Sequence, residues 1–166
     1  MAGKEHDRDV TFADLLGEGM NAVHHRVAIE ILTAHDDKTE LLERVADCAR
    51  VVHCPDWELG PGASLRCGLA ALAPGTAAVV VALADGPDLA PAAVDRVVSA
   101  WRNGAGQVVA ASYDGRRGHP IVLDRAVWAS IPDEGARAFE PVLVPCDDLG
   151  APGDVDRPDD LPERFS

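Results

Sequence analysis

The chain has 166 residues and a formal charge of 15 − 28 = −13 at pH 7. That is a one-domain length, long enough to bury a single core. With 47% apolar residues it is neither a disordered nor a collagen-like chain. The longest apolar run, Ala77 to Ala84, falls far short of the ~20 residues of a membrane helix, and the polar stretch from Met1 to Asp9 is unlike a secretory leader. An acidic chain also lacks the basic face that displaces counterions from nucleic acid. The expectation is a cytoplasmic protein with no nucleic-acid or membrane partner. Cys48, Cys54, Cys67 and Cys146 show no Cys-x-x-Cys spacing, so they read as buried free thiols rather than a zinc site or a disulfide framework.

Residues 1–10 read as a loose start and residues 11–166 as one domain. From Thr11 two patterns overlap. Phe12, Leu15, Leu16, Met20, Val23, Val27 and Ile31 recur at helical spacing, whereas Val27, Ile29, Ile31 and Thr33 alternate as a strand does. Further on the periodicity predicts a helix over Thr39 to Cys48, a strand over Ala49 to His53 and a helix over Ala63 to Leu72. The continuous run Ala77 to Ala84 predicts a parallel strand covered on both faces. Pro91 opens a helix to about Trp101. Strands follow over Gln107 to Ser112, Pro120 to Leu123 and Pro141 to Cys146, and Pro158 opens a last short helix. Alternating strands and helices predict an α/β fold, a three-layer α/β/α domain with a mainly parallel sheet. In such sheets ligands sit beyond the carboxyl ends of the strands.

That rule selects the candidate residues. Asp85 ends the apolar run and is placed either to hold a divalent cation or to cap the Asp85-Gly86-Pro87 turn. Gly60, Pro61 and Gly62 lead into a helix carrying Ser64 and Arg66, either to present backbone N–H groups and side-chain donors to an anion or a base edge or as an ordinary strand–helix connection with Ser64 near the cap. Asp114-Gly115-Arg116-Arg117-Gly118-His119-Pro120 concentrates positive charge in an acidic protein; a solvated hairpin-like loop is the plainer reading. Asp154 and Asp156 share one face of an extended segment, as metal ligands or caps.

Taken in order, these segments resemble the MobA-like nucleotidyltransferases, most closely the molybdenum cofactor cytidylyltransferases. The likeness rests on Val52-His53-Cys54-Pro55-Asp56-Trp57, on Gly60 to Leu69, on Leu83-Ala84-Asp85-Gly86-Pro87 and on Asp114 to Pro120. It continues through Asp133-Glu134-Gly135-Ala136-Arg137 and Asp154 to Leu161. The resemblance implies a Rossmann-like nucleotidyltransferase fold and transfer of a nucleoside monophosphate from an NTP, CTP by preference, to a phosphorylated acceptor such as molybdopterin cofactor, with loss of pyrophosphate. It implies Mg2+ held by Asp85, Asp154 and Asp156, with Asp85 and Asp156 catalytic. Gly60, Ser64, Arg66 and Asp85 would bind the nucleotide, and Arg116, Arg117 and His119 the acceptor.

The family's glycine-rich opening, Leu-Ala-Ala-Gly-x-x-x-Arg-Met-Gly-x-x-Lys, is not found. Leu15-Leu16-Gly17-Glu18-Gly19-Met20 echoes it without the cationic residues, and the region before Asp56 is abbreviated. Loss of such a clamp removes several kcal/mol, on the order of hundreds-fold in rate, which Lys38, Arg116 and Arg117 would have to offset. Three expectations follow: a working transferase with an altered phosphate loop, a nucleotide-binding homologue of weak or no activity, or a truncated gene product. An uncovered edge strand would also favour homo-oligomers.

Overall fold

The computed structural model describes residues 30–33, 50–83 and 85–155. The helix expected over Thr39 to Cys48, the last helix at Pro158, Lys38 and Asp156 lie outside the described residues. Strands β1 (Glu30–Thr33) and β2 (Arg50–His53) pair in parallel; for the end of the doubly patterned stretch this is the strand alternative. Helix α1 (Pro61–Ala71) packs against both. Strand β3 (Ala78–Val81), helix α2 (Pro91–Arg102), β4 (Val108–Tyr113), β5 (Arg116–Asp124) and β6 (Val142–Pro145) follow. Helical turns at Arg125–Ser130 and Gly135–Ala138 connect β5 to β6. Pro61 and Pro91 occupy the first helical turns, where the missing N–H costs no hydrogen bond.

The second sheet has the order β3-β5-β4-β6. β5 runs antiparallel to both β3 and β4, and β6 runs parallel to β4. Three strands therefore share one direction and β5 opposes them, so the sheet is mixed. Two expectations are corrected here. Ala77 to Ala84 does not form one long doubly covered parallel strand: the strand is Ala78–Val81, half-buried, and its neighbour is the antiparallel β5. The strand expected over Pro120 to Leu123 starts four residues earlier, at Arg116. A tight turn causes the second difference. Asp114 and Gly115 both take positive φ, 52° and 71°, the two-residue hairpin turn whose twist matches the flanking strands. Pairing then begins at Tyr113 with Arg116.

Alternation along the strands divides the core between two faces. Val108, Ala110, Ile121 and Leu123 join Leu69 of α1 together with Val127 and Ile131. Val109, Ala111 and Val122 join Ala93 and Val97 of α2 and Cys146. One helix layer thus covers each face, which is the three-layer α/β/α arrangement. Two cysteines depart from the free-thiol expectation: Cys54 and Cys67 are joined in a disulfide, while Cys146 is free and buried and Cys48 lies outside the described residues. Tertiary proximity decides this, since α1 turns back over the end of β2, and no local spacing announces it. No described helix is long and apolar enough to cross a membrane.

Candidate functional site

Because β3, β4 and β6 run together, their carboxyl ends share one edge of the sheet with the amino end of β5. Asp85 lies exposed beyond the tip of β3. The chain returns to it at the far end of the described sequence: the Val155 amide donates to the Asp85 carbonyl at 2.9 Å, and the Asp88 amide donates to the Pro152 carbonyl at 2.8 Å. These bonds lay the segment carrying Asp154 alongside the Asp85 turn. Two of the three acids expected to hold metal are therefore on hydrogen-bonded neighbouring segments. Among the described residues no group of three or more His, Cys, Asp or Glu side chains is gathered for metal binding.

The hairpin cluster stands at the same edge. His119 is half-buried, with Nδ1 3.2 Å from the Val81 carbonyl. Burial pushes its pKa below the ordinary histidine value. The Val81 carbonyl opposes this, Arg117 reinforces it, and the charge of Asp85 opposes it, so the neutral ring is favoured near pH 7. The Tyr113 hydroxyl donates to the His119 carbonyl at 3.0 Å and fixes the strand beside it.

Arg116 and Arg117, adjacent on a strand, point to opposite faces and have different fates. Arg116 is exposed, and its side chain has no ion-pair or hydrogen-bond partner among the described residues. Arg117 spends its guanidinium on backbone: Nη1 donates to the Phe139 carbonyl at 2.8 Å and the Arg137 carbonyl at 3.3 Å, and Nη2 to the Ala136 carbonyl at 2.7 Å. Desolvation lowers its pKa, with Glu140 opposing.

Gly60, Ser64 and Arg66 lie at the start of α1. Gly60 takes φ +119°, a conformation that lets the chain turn into Pro61. The first amides of the helix are largely engaged rather than free: Gly62 N–H donates to the Asp133 carbonyl at 2.9 Å and Ala63 N–H to the Gly60 carbonyl at 3.1 Å. A Cβ on Gly62 would lie 1.8 Å from the Pro132 carbonyl oxygen, so only glycine permits this approach. Arg66 is likewise committed, Nη1 to the Ile131 carbonyl at 2.8 Å and Nη2 to Asp133 Oδ1 at 2.7 Å.

The segment 131–139 thus touches both candidate groups, α1 through Ile131 and Asp133 and the hairpin through Ala136 and Phe139. Asp133 is the residue that reasoning from the sequence passes over. It stands 67 residues from its partner Arg66, and its only advance signal is its place in a family-like segment. A second pairing also supports this edge: Arg96 of α2 grips Asp148 after β6 through two bonds of 2.6 and 2.9 Å. This hydrogen-bonded pairing holds the Asp148 carboxyl below its ordinary pKa. A groove of about 430 Å³ between α1 and the turn after β5, lined by Leu69, Pro74, Arg125 and Trp128, includes only Arg66 of the candidate residues.

A family model described as "MobA-like NTP transferase domain" matches residues 16–139. No curated protein matches the chain. Among solved structures, a crystal structure of Rv0371c from Mycobacterium tuberculosis H37Rv is similar with a TM-score of 0.63 at 24% identity, covering 80% of this chain and 72% of that one. A complex of Rv0371C with manganese, from the same organism, is similar with a TM-score of 0.60 at 23% identity over 79% and 72% of the two chains. At this identity the likeness establishes the fold.

Proposed function

The chain belongs to the family of MobA-like NTP transferase domains, a nucleotidyltransferase family, and from that premise we propose that it transfers CMP from CTP to a phosphorylated acceptor of the molybdopterin type. A terminal phosphate oxygen of the acceptor attacks the α-phosphorus in line, a P–O bond forms, the bond to the β-phosphate oxygen breaks, and pyrophosphate leaves. No covalent enzyme intermediate is required; positioning and electrostatics carry the reaction. The observation that carries this reading is the hydrogen bond from the Val155 amide to the Asp85 carbonyl, which supports one acidic site built from the β3 tip and the returning chain.

Asp85, Asp154 and Asp156 are the proposed holders of Mg2+, whose donor preference is one or two carboxylates with substrate phosphates; of these, Asp85 and Asp154 are exposed. When bound, the metal supplies positive charge against the phosphate oxygens. The manganese complex of a structure sharing this fold supports a divalent cation. In this reading the guanidinium of Arg116, without a partner among the described residues, meets the acceptor's phosphate, the neutral ring of His119 offers hydrogen bonding beside Asp85, and Arg117 shapes the acceptor side through the carbonyls it holds. Gly60, Ser64 and Arg66 form the nucleotide side. A cytoplasmic location, where NTPs are available, belongs to the same proposal. One observation favours a weaker catalyst: the Gly62 and Ala63 amides at the head of α1 are already bonded and leave little to replace the missing glycine-rich clamp.

Pyrophosphate release from CTP and from GTP, with Mg2+ and molybdopterin, tests the reading. The expected result is release with CTP, falling by about a hundredfold or more in Asp85→Asn. Undiminished release in Asp85→Asn overturns the assignment of Asp85. CTP binding without turnover supports the binding homologue instead.

A further inference from the structure

We infer that Asp133 is a positioning residue for nucleotide recognition, acting through Arg66; the inference rests on the nucleotidyltransferase reading and deepens it. Three ties join the segment 131–133 to the head of α1: the Gly62 amide on the Asp133 carbonyl, Arg66 Nη1 on the Ile131 carbonyl, and Arg66 Nη2 on Asp133 Oδ1. The approach is backbone on backbone, since a Cβ on Gly62 or Gly60 would stand 1.8 Å from Pro132 O or 2.8 Å from Asp133 O. Arg66 therefore has two of its guanidinium nitrogens occupied by the protein. It contributes to the nucleotide side by fixing the head of α1, with Gly60 and Ser64, rather than by reaching for the base.

The Arg66–Asp133 pair is open to water, with side chains 39% and 66% exposed. Such a pair adds little to global stability, so its geometric role is separable from folding. The other half of the segment is held by Arg117 through the Ala136, Arg137 and Phe139 carbonyls. One stretch of nine residues is thereby fastened at one end to the proposed nucleotide side and at the other to the proposed acceptor side. Asp133 is the side chain that fastens the first end.

The test uses the full chain with Asp133→Ala, Asp133→Asn, Arg66→Ala and the Arg66→Ala/Asp133→Ala double variant, with CTP–Mg2+ as the probe. Asp133→Ala keeps the Gly62 backbone tie and the Arg66–Ile131 bond and releases only Arg66 Nη2. It should raise KM for CTP roughly two- to fivefold with kcat unchanged, and speed hydrogen exchange at the Gly62 and Ala63 amides while the melting temperature holds. Asp133→Asn, which keeps an oxygen acceptor for Arg66, should recover most of the affinity. Arg66→Ala also loses the bond to the Ile131 carbonyl, so it should equal or modestly exceed Asp133→Ala, and the double variant should match Arg66→Ala, because no Arg66–Asp133 bond is left to lose. If Arg66→Ala weakens CTP far more than Asp133→Ala, Arg66 contacts the nucleotide directly and the inference is overturned. It is equally overturned if wild type binds CTP and Asp133→Ala binds it unchanged. If wild type binds neither CTP nor GTP, the nucleotidyltransferase reading itself falls, and faster exchange in Asp133→Ala then marks a structural fastening alone.

Discussion

His119 joins the core of the hairpin to the exposed edge, and its chemistry gives a pH test at a single residue. Burial lowers its pKa in the folded chain, so between that value and the unfolded value of about 6.5 the unfolded chain binds more protons. The stability it confers is then complete above about pH 6.5 and declines as pH falls through the unfolded value toward the depressed folded one. Relative to His119→Gln, the urea midpoint of wild type should fall between about pH 7.5 and about pH 5.5. Parallel courses for the two proteins would mean that His119 is not desolvated. The neighbouring arginines make a similar point about local context. Composition offers two equal cations at 116 and 117, and only strand alternation with the return of residues 136–139 separates a guanidinium without a partner among the described residues from one bonded to several carbonyls.

At the scale of elements, the β4–β5 hairpin turns on Asp114-Gly115. Among the described residues, apart from its chain neighbours, no atom lies within 4 Å of where a Cβ on Gly115 would stand, and its φ is +71°. Gly115→Ala should therefore cost roughly 1 kcal/mol through backbone conformation alone, measured by urea unfolding; no loss would show that the turn takes another form. Much of this level is legible in the sequence, because its signals are local. Proline at the first turn marks α2 from Pro91, and β2, β4 and β6 come within a residue or two of expectation. The partner of an apolar run is not a local property. Ala78–Val81 reads as a doubly covered parallel strand because every residue in it is apolar, yet β5 doubles back between β3 and β4 and becomes its antiparallel neighbour. The Cys54–Cys67 bond and the Arg66–Asp133 pair are hidden for the same reason: each is made by chain crossing in space.

For the whole molecule, the mixed sheet supplies both the core and the edge where function is proposed. Leu123 is wholly buried on the α1 face, and Leu123→Ala should cost about 2–5 kcal/mol, a large share of the roughly 5–15 kcal/mol that holds a domain of this kind together. A loss below about 1 kcal/mol in chemical denaturation would place Leu123 outside the core. The same sheet directions bring the β3 tip, the hairpin and the segment after β6, far apart in sequence, to one edge. The family is legible in the chain, and the family match over residues 16–139 bears it out. How the chain returns through Pro152 and Val155 to Asp85 is not, since proline- and glycine-rich connections carry no periodicity.

The central claim is that the β3 tip and the returning chain hold one metal-bound nucleotide. Paramagnetic broadening of amide signals by CTP–Mn2+ reads this directly. The account predicts simultaneous loss of the Asp85, Gly86, Asp154 and Val155 signals, abolished in Asp85→Asn. Broadening confined to one of the two segments, or unchanged in Asp85→Asn, would contradict it.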